Sequence, residues 1–345
     1  MTSIELNPAV SAQEWHTYVE NHPDGSLYHL PEWQEVLVDS FHHNPFYLFA
    51  RNEEDKLCGI LPLFQIKSAL TGNRLVSLPF SHACGPIADS KEILAQLVLR
   101  AEDLCQELKC RYLELRMMRP APLSLKVSEY FSTFVLELTE PEMVWTQLHQ
   151  KGVRWAIGKA RKNGVTVRVD NALNAMKNFD HLNKQTKRNL GVPAHPSRFL
   201  RNINHKLARF TKLYLAEFED KTVAGIVTLS FKDTVYYAYG ASHNDYLKYY
   251  PNDLLVWQAI EESCNQGYRY FDFGKTAPDN EGLVRFKKHW GTTQRVLYYY
   301  YHPGIPNLIS SNRSGQRYKF ITCLWRRLPL FLSHTLSLIA FKHLD

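Results

Sequence analysis

What the chain lacks narrows the field first. Its six cysteines, Cys58, Cys84, Cys105, Cys110, Cys264 and Cys323, are scattered over 345 residues with no CxxC pair. That is too sparse for a disulfide scaffold and offers no thiolate set for structural zinc; a reducing compartment fits it. His42, His43, His149, His195 and His205 show no metal-ligand spacing either. No Lys or Arg precedes Arg51 and no apolar core follows Met1, so no export signal is expected. No uninterrupted apolar run approaches the roughly 20 residues of a membrane span. The nearest, Leu328 to Phe341, is short and holds Pro329, Ser333, His334, Thr335 and Ser337. GxGxxG and GxxxxGK[ST] loops are absent, which removes the main support for dinucleotide and P-loop readings. There is no GxSxG elbow for a serine nucleophile.

What is present is an ordinary globular composition, 45% hydrophobic and 22% charged. The length suggests about two domains. A net charge of +7 conceals a strong asymmetry. Residues 149–212 hold fifteen Lys and Arg against Asp170 and Asp180 alone, whereas residues 1–148 are net acidic. Such a segment suits a polyanionic partner: nucleic acid, a nucleotide or pyrophosphate, or an anionic membrane. A solvated basic helix face is the simpler alternative.

Hydrophobic periodicity gives an element order. Ser11 with Glu14 reads as a capping box. Phe46 to Arg51 and Leu57 to Phe64 read as a hairpin about the polar turn Asn52 to Asp55. Lys91 to Leu108 has helical spacing, and Tyr112 to Met117 and Thr133 to Leu138 read as strands. The pattern restarts after residue 140. Pro141 to Asn163 is expected to be one helix closed by Gly164, with its basic end where the helix dipole favours it. Thr211 to Phe218, Val223 to Phe231 and Thr234 to Ala241 read as a meander. Pro251 to Gln266 reads as a helix, Tyr270 to Phe273 as a strand, and Gln294 to Tyr301 as the last strand. Two successive units of hairpins and helices imply an α+β fold with mixed sheets, not a doubly wound parallel sheet. The expected divisions are 1–140, 141–302 and a basic amphipathic tail, 303–345.

One constellation is specific. Tyr270-Phe-Asp-Phe-Gly274 is followed by Gly282-Leu-Val-Arg-Phe-Lys-Lys-His-Trp-Gly291. This FDFG, then G-x-x-RFK-x-x-WG, resembles the FemAB-like transferases, which include enzymes adding amino acids to peptidoglycan precursors from aminoacyl-tRNA. Tyr239-Gly240-Ala-Ser, Pro251-Asn-Asp-Leu-Leu and the stretch from Arg154 to Val165 fall in that family's order, and Pro31-Glu-Trp33 resembles a feature near its N-terminus. The resemblance covers most of residues 26–302. Around Trp325-Arg-Arg-Leu-Pro-Leu330 the tail is similar to a branch associated with exosortase (PEP-CTERM) exopolysaccharide systems. The resemblance implies two tandem GNAT-like domains, each a mixed, mostly antiparallel sheet flanked by helices, with the motif in the second. It also implies acyl transfer to an amine, with no tightly bound cofactor and an aminoacyl-tRNA or acyl-CoA co-substrate. The [QR]-x-x-G-x-[GA] turn that holds the CoA pyrophosphate in ordinary GNAT enzymes is absent. Arg161 to Thr166 and Arg188 to Pro193 fail it at the last position, and Tyr249-Tyr-Pro-Asn-Asp253 stands before the helix instead.

Acyl transfer through a tetrahedral oxyanion needs positioning and positive charge more than a nucleophile. Lys287 and Arg285 are the first catalytic candidates, facing one side of an extended or irregular stretch while Phe286 packs the other way. Asp272, between Phe271 and Phe273, could take the amine proton or orient a cation, or be a paired structural carboxylate. For substrate binding the candidates are Arg154, Lys159, Arg161 and Lys162 for phosphates, Lys275 after the motif, and Tyr237 and Tyr239, which alternation places on one face. Trp290 reads as core, and Tyr298 to Tyr301 as a strand with two aromatic faces. In the tail, Phe320, Leu324, Leu328 and Phe331 can share a helix face suited to an anionic leaflet, with Pro329 as a kink or boundary. These readings lead to a cytoplasmic enzyme, peripheral at the membrane's inner face, that forms an amide on a nucleotide-linked or lipid-linked cell-wall or exopolysaccharide precursor. The alternatives are a CoA-dependent N-acyltransferase on a similar glycan, and a non-catalytic, membrane-peripheral assembly component.

Overall fold

In a computed structural model of the chain, which describes residues 2–68, 72–306 and 316–341, the expected hairpin forms between Leu48–Arg51 and Leu57–Leu61. Its turn closes because the Asn52 side-chain oxygen accepts from the N–H groups of Glu54 and Lys56. Ser11 caps its helix by accepting from Glu14 N at 3.1 Å. The described residues divide into two compact units. One comes from the described residues of 2–131 and 296–306, the other from 132–295 and 316–341.

The first unit has two sheets. Ser3–Leu6, Leu48–Arg51, Leu57–Leu61 and Ile87–Ala88 make one, in that order. The other runs Asn44–Pro45, Phe64–Ser68, Gly72–Val76, Leu113–Met117, Tyr298–His302, Lys126–Ser128. Helix Lys91–Glu107 buries Leu97, Val98, Ala101 and Leu104 against the core.

The single strand expected over 294–301 is two strands in two units. Thr293–Val296 joins the second unit's sheet, while Tyr298–His302 lies antiparallel to Leu113–Met117 in the first. Burial explains the switch. Tyr300 packs among leucines on one face, and Tyr299 and Tyr301 pack with Ala83 and Leu297 on the other. A strand with two apolar faces must be central, and the first unit supplies neighbours on both edges.

The second unit is a seven-stranded sheet in the order Thr166–Val169, Thr211–Phe218, Lys221–Phe231, Thr234–Ser242, Tyr270–Asp272, Ser132–Glu137, Thr293–Val296. The expected meander is present and antiparallel. One face packs on helices Pro251–Asn265 and Trp155–Lys162 through Ile157, Ile226, Leu255 and Phe271. The other packs on helices Leu173–Leu190 and Ser197–Lys206 through Phe179, Leu200, Leu213 and Leu215.

The helix expected over Pro141 to Asn163 is broken. It comprises Pro141–Gln147, a π-helical turn Gln150–Arg154 and Trp155–Lys162. Leu148 is buried in an extended conformation, and His149 N donates to His289 O at 3.0 Å, so the main chain there is committed elsewhere. The two imidazoles stack at 4.4 Å.

The tail's helices, Gln316–Arg327 and Leu330–Ala340, pack on helix Leu173–Leu190 within the second unit. The break between them falls at Leu328, because the ring of Pro329 disfavours helical backbone in the residue before it. Pro329 is thus a boundary, one of the two roles expected of it on the face of Phe320, Leu324, Leu328 and Phe331, and the side chains of Phe320 and Phe331 lie outside the described set. Among the described residues no helix is long and apolar enough to cross a membrane, and no group of three His, Cys, Asp or Glu could hold a metal.

Candidate functional site

The second unit's sheet opens at its one parallel junction among the described strand pairs. Thr234–Ser242 pairs with Tyr270–Asp272 over three positions, ending at Tyr236 and Asp272. Beyond that the register stops, although the first strand continues to Ser242. The far lip of the opening is Phe273, Gly274 and Lys275. Gly274 has φ 73°, and a Cβ there would meet nothing closer than Tyr237 O at 3.9 Å. The first unit has a matching parallel junction, Leu75 with Leu113 and Val76 with Glu114. There the gap is closed. Arg116 Nη1 donates to Leu78 O and Ser81 O at 3.1 and 3.0 Å, its Nε donates to Glu114 at 2.7 Å, and Cys84 N donates to Arg116 O.

Lys287 anchors the opening's floor. Its ammonium donates to Phe273 O at 2.5 Å and Gly274 O at 2.7 Å, and it lies 5.7 Å from the Phe134 ring centroid. The third N–H has no hydrogen-bond partner among the described residues. The side chain is buried, and burial lowers its pKa to about 8, with Asp272 acting weakly the other way. Asp272 holds the carbonyls in place. Its carboxylate accepts from Gly274 N at 2.7 Å and from Thr133 Oγ1, so it fixes the turn that presents residues 273 and 274 to Lys287. Of the alternatives for Asp272, this geometry is that of a paired structural carboxylate.

The expected extended stretch at 285–287 is instead helix Glu281–Lys288, capped by Asn280 accepting from Leu283 N at 3.3 Å. At about 100° per residue, positions two apart point away from each other. Lys287 is thus buried while Arg285 is exposed, and the two do not converge.

Tyr237 and Tyr239 also part company. The pairing of Thr228 with Tyr237 and Val227 with Tyr239 leaves Ala238 as an extra, bulged residue. One inserted residue reverses the alternation. Tyr237 therefore stacks on Phe273 at 6.2 Å, beside the opening, and burial raises its phenol pKa to about 12. Tyr239 faces the opposite layer and packs on His195 at 4.8 Å.

The basic candidates are spread out. Trp155 touches Tyr250 edge-on at 5.1 Å, which sets Arg154 beside the start of helix Pro251–Asn265. That start adjoins the end of the opened strand, where Asn252 Nδ2 donates to Ser242 Oγ at 3.4 Å. Arg154 is half-buried, and its Nε is buried without a hydrogen-bond partner among the described residues. Lys159, Arg161 and Lys162 are exposed along a helix running up to about 12 Å further, at 1.5 Å per residue. Lys275 follows the turn, half-buried.

Sequence reasoning missed Asp253. It sits in the first turn of Pro251–Asn265, half-buried, and burial raises its pKa to about 6. Only the three-dimensional crowding around the turn reveals it; its sequence signal is the YYPND segment in place of a glycine turn. With Pro251 removing a donor and Asp253 adding negative charge, this helix start is a poor seat for a pyrophosphate.

Residues 149–288, which hold both strands of the opening and the helix carrying Lys287, match the acetyltransferase (GNAT) domain family. Against the lipid II:glycine glycyltransferase of Staphylococcus epidermidis the chain is 30% identical over 115 residues, 32% of this chain and 28% of that one. The chain thus holds a GNAT-type domain and is similar to the FemAB-like transferases. The corresponding Staphylococcus haemolyticus protein is 40% identical over 63 residues, 16% of this chain and 15% of the relative. The chain thus spans less than a third of the length of the relatives it matches. Solved structures agree on the fold. FemX superposes with a TM-score of 0.66 at 16% identity, covering 93% of this chain and 100% of that one. L-PGS from Bacillus licheniformis gives 0.61 at 12%, covering 92% and 98%. A tandem GNAT protein from the clavulanic acid pathway gives 0.53 at 10%, covering 89% and 100%.

Proposed function

We propose that this FemAB-like chain is a cytoplasmic acyltransferase that forms an amide on a cell-wall or exopolysaccharide precursor, with an aminoacyl-tRNA as donor. The observation that carries the reading is Lys287: a buried ammonium, two of its donors fixed on main-chain carbonyls, at the point where the sheet opens. The donor's acyl end enters between the parted strands. The acceptor amine attacks the ester carbonyl, forming the C–N bond and a tetrahedral oxyanion. The third N–H of Lys287 stabilises that oxyanion. Collapse breaks the C–O bond, and the amine proton leaves with the released hydroxyl. Asp272 positions Lys287 through the turn at Gly274 and does not take the proton.

The name of the staphylococcal relatives supports an amine-bearing lipid-linked acceptor. Exposed Lys159, Arg161 and Lys162 support a polyanionic donor. Asp253 at the helix start argues against CoA. The test incubates the protein with aminoacyl-tRNAs and acyl-CoAs in parallel and follows label into lipid-linked and nucleotide-linked glycan precursors. Label should move from aminoacyl-tRNA and fall at least about a hundredfold in Lys287→Met, the scale of losing one oxyanion donor. Transfer from acyl-CoA alone would reassign the donor; no transfer from any donor would leave a binding protein of the same fold.

A further inference from the structure

The C-terminal helices dock the wrong way round for a simple packing element. Helix Leu330–Ala340 turns its serines inward: Ser333 and Ser337 are buried, and Ser337 Oγ accepts from Ala194 N at 3.0 Å. Phe341 closes the contact on the His195 ring at 5.1 Å. The preceding helix is seated equally closely, since a Cβ on Gly191 would come within 2.6 Å of Thr322 O. What remains outside is apolar. Leu332 and Leu336, one turn apart, are 40% and 42% exposed, and Leu338 and Leu324 still more so. Helix Leu330–Ala340 contains no Lys, Arg, Asp or Glu. Beside it, Arg326 and Arg327 are exposed, and between Glu281 and Asp345 the sequence has no acidic residue at all.

We propose that this outward face, Leu332 and Leu336 flanked by Arg326 and Arg327, is a docking surface for an anionic lipid bilayer. The leucines enter the headgroup boundary while the serines keep the helix on the protein, and the guanidinium groups meet lipid phosphates. Charge decides against a second copy of the chain. Pairing two such faces would bring like arginines together with no carboxylate on either helix, whereas an anionic leaflet offers the complementary sign. The inference stands apart from the acyl-transfer reading, because it uses none of the residues of the opening.

The test is co-sedimentation of the full chain with vesicles of phosphatidylglycerol and phosphatidylcholine, and with phosphatidylcholine alone. Binding is expected only to the mixed vesicles, weakened by salt. Arg326→Glu with Arg327→Glu should weaken it about thirtyfold or more, at roughly fivefold per basic residue. Leu332→Asp with Leu336→Asp should abolish it. All four side chains are exposed, and the Arg326 variant gives up only a long hydrogen bond to Leu190 O at 3.5 Å, so thermal melting should stay close to that of the unaltered chain. Three results would overturn the proposal. The first is failure of the unaltered chain to sediment with anionic vesicles. The second is a leucine variant that binds as the unaltered chain does, which would assign binding to the basic segment 149–212. The third is a dimer, seen by light scattering, that the leucine variant dissolves, which would make a second copy the occupant.

Discussion

A lysine held on two carbonyls inside a protein carries its charge at a cost, and Lys287 shows that cost in its titration. Its pKa falls from an ordinary 10.5 to about 8 because burial disfavours the ammonium. Between these values the unfolded chain keeps the proton and the folded chain releases it. Stability therefore rises with pH through this window, and below pH 8 both states are protonated, so the dependence vanishes. The size is about 3 kcal/mol over the window. Denaturant melts of the unaltered chain and Lys287→Met across about pH 7 to 10.5 should show the difference between them moving by that amount in favour of lysine. Because the oxyanion needs the charged form, transfer should decline above pH about 8. An activity plateau extending to the ordinary lysine value of 10.5 would mean that Lys287 does not act through its charge.

At the scale of elements, two glycines separate backbone strain from packing. Gly164 and Gly191 both end helices with left-handed φ, at 84° and 78°. A Cβ on Gly164 would meet open space, but one on Gly191 would strike Thr322. Gly164→Ala should cost about 1 kcal/mol, the left-handed penalty alone. Gly191→Ala should cost more and loosen the C-terminal helices, read as faster tryptic cleavage at Arg326 or Arg327. Equal costs, with no change in cleavage, would mean the tail is not seated there.

Elements with local causes are legible in the sequence. The Asn52 turn, the Ser11 cap, the three-stranded meander and the stop at Gly164 each depend on a few adjacent residues. Features set by distant partners are not. Nothing near Ala238 announces a bulge, yet it sends Tyr237 and Tyr239 to opposite faces. The motif's RFK segment reads as extended unless its cap at Asn280 is recognised, so Lys287 stands out while Arg285 is wrongly joined to it. The run Tyr298 to Tyr301 reads as a strand, but its sheet is chosen by what Leu113–Met117 lacks on one edge.

For the whole molecule, that last strand makes the first unit discontinuous. Tyr298–His302 sits between Leu113–Met117 and Lys126–Ser128. A fragment ending at residue 131, which leaves out the second unit, should therefore lack a central strand and the pairing of Lys126–Ser128 with it. We expect such a fragment to unfold without a cooperative transition by circular dichroism, whereas adding a peptide of residues 296–306 should restore one. A cooperative melt of the fragment alone would show the strand to be dispensable.

The same connection governs how the protein is made. A ribosome at about 5–20 residues per second delivers the first unit's opening 131 residues well before its remaining strand. Through that interval the edge of Leu113–Met117 waits unpaired while most of the second unit is synthesised. The first unit begins folding first but completes its sheet only after residue 302 is made, and chaperone demand should be greatest in that gap.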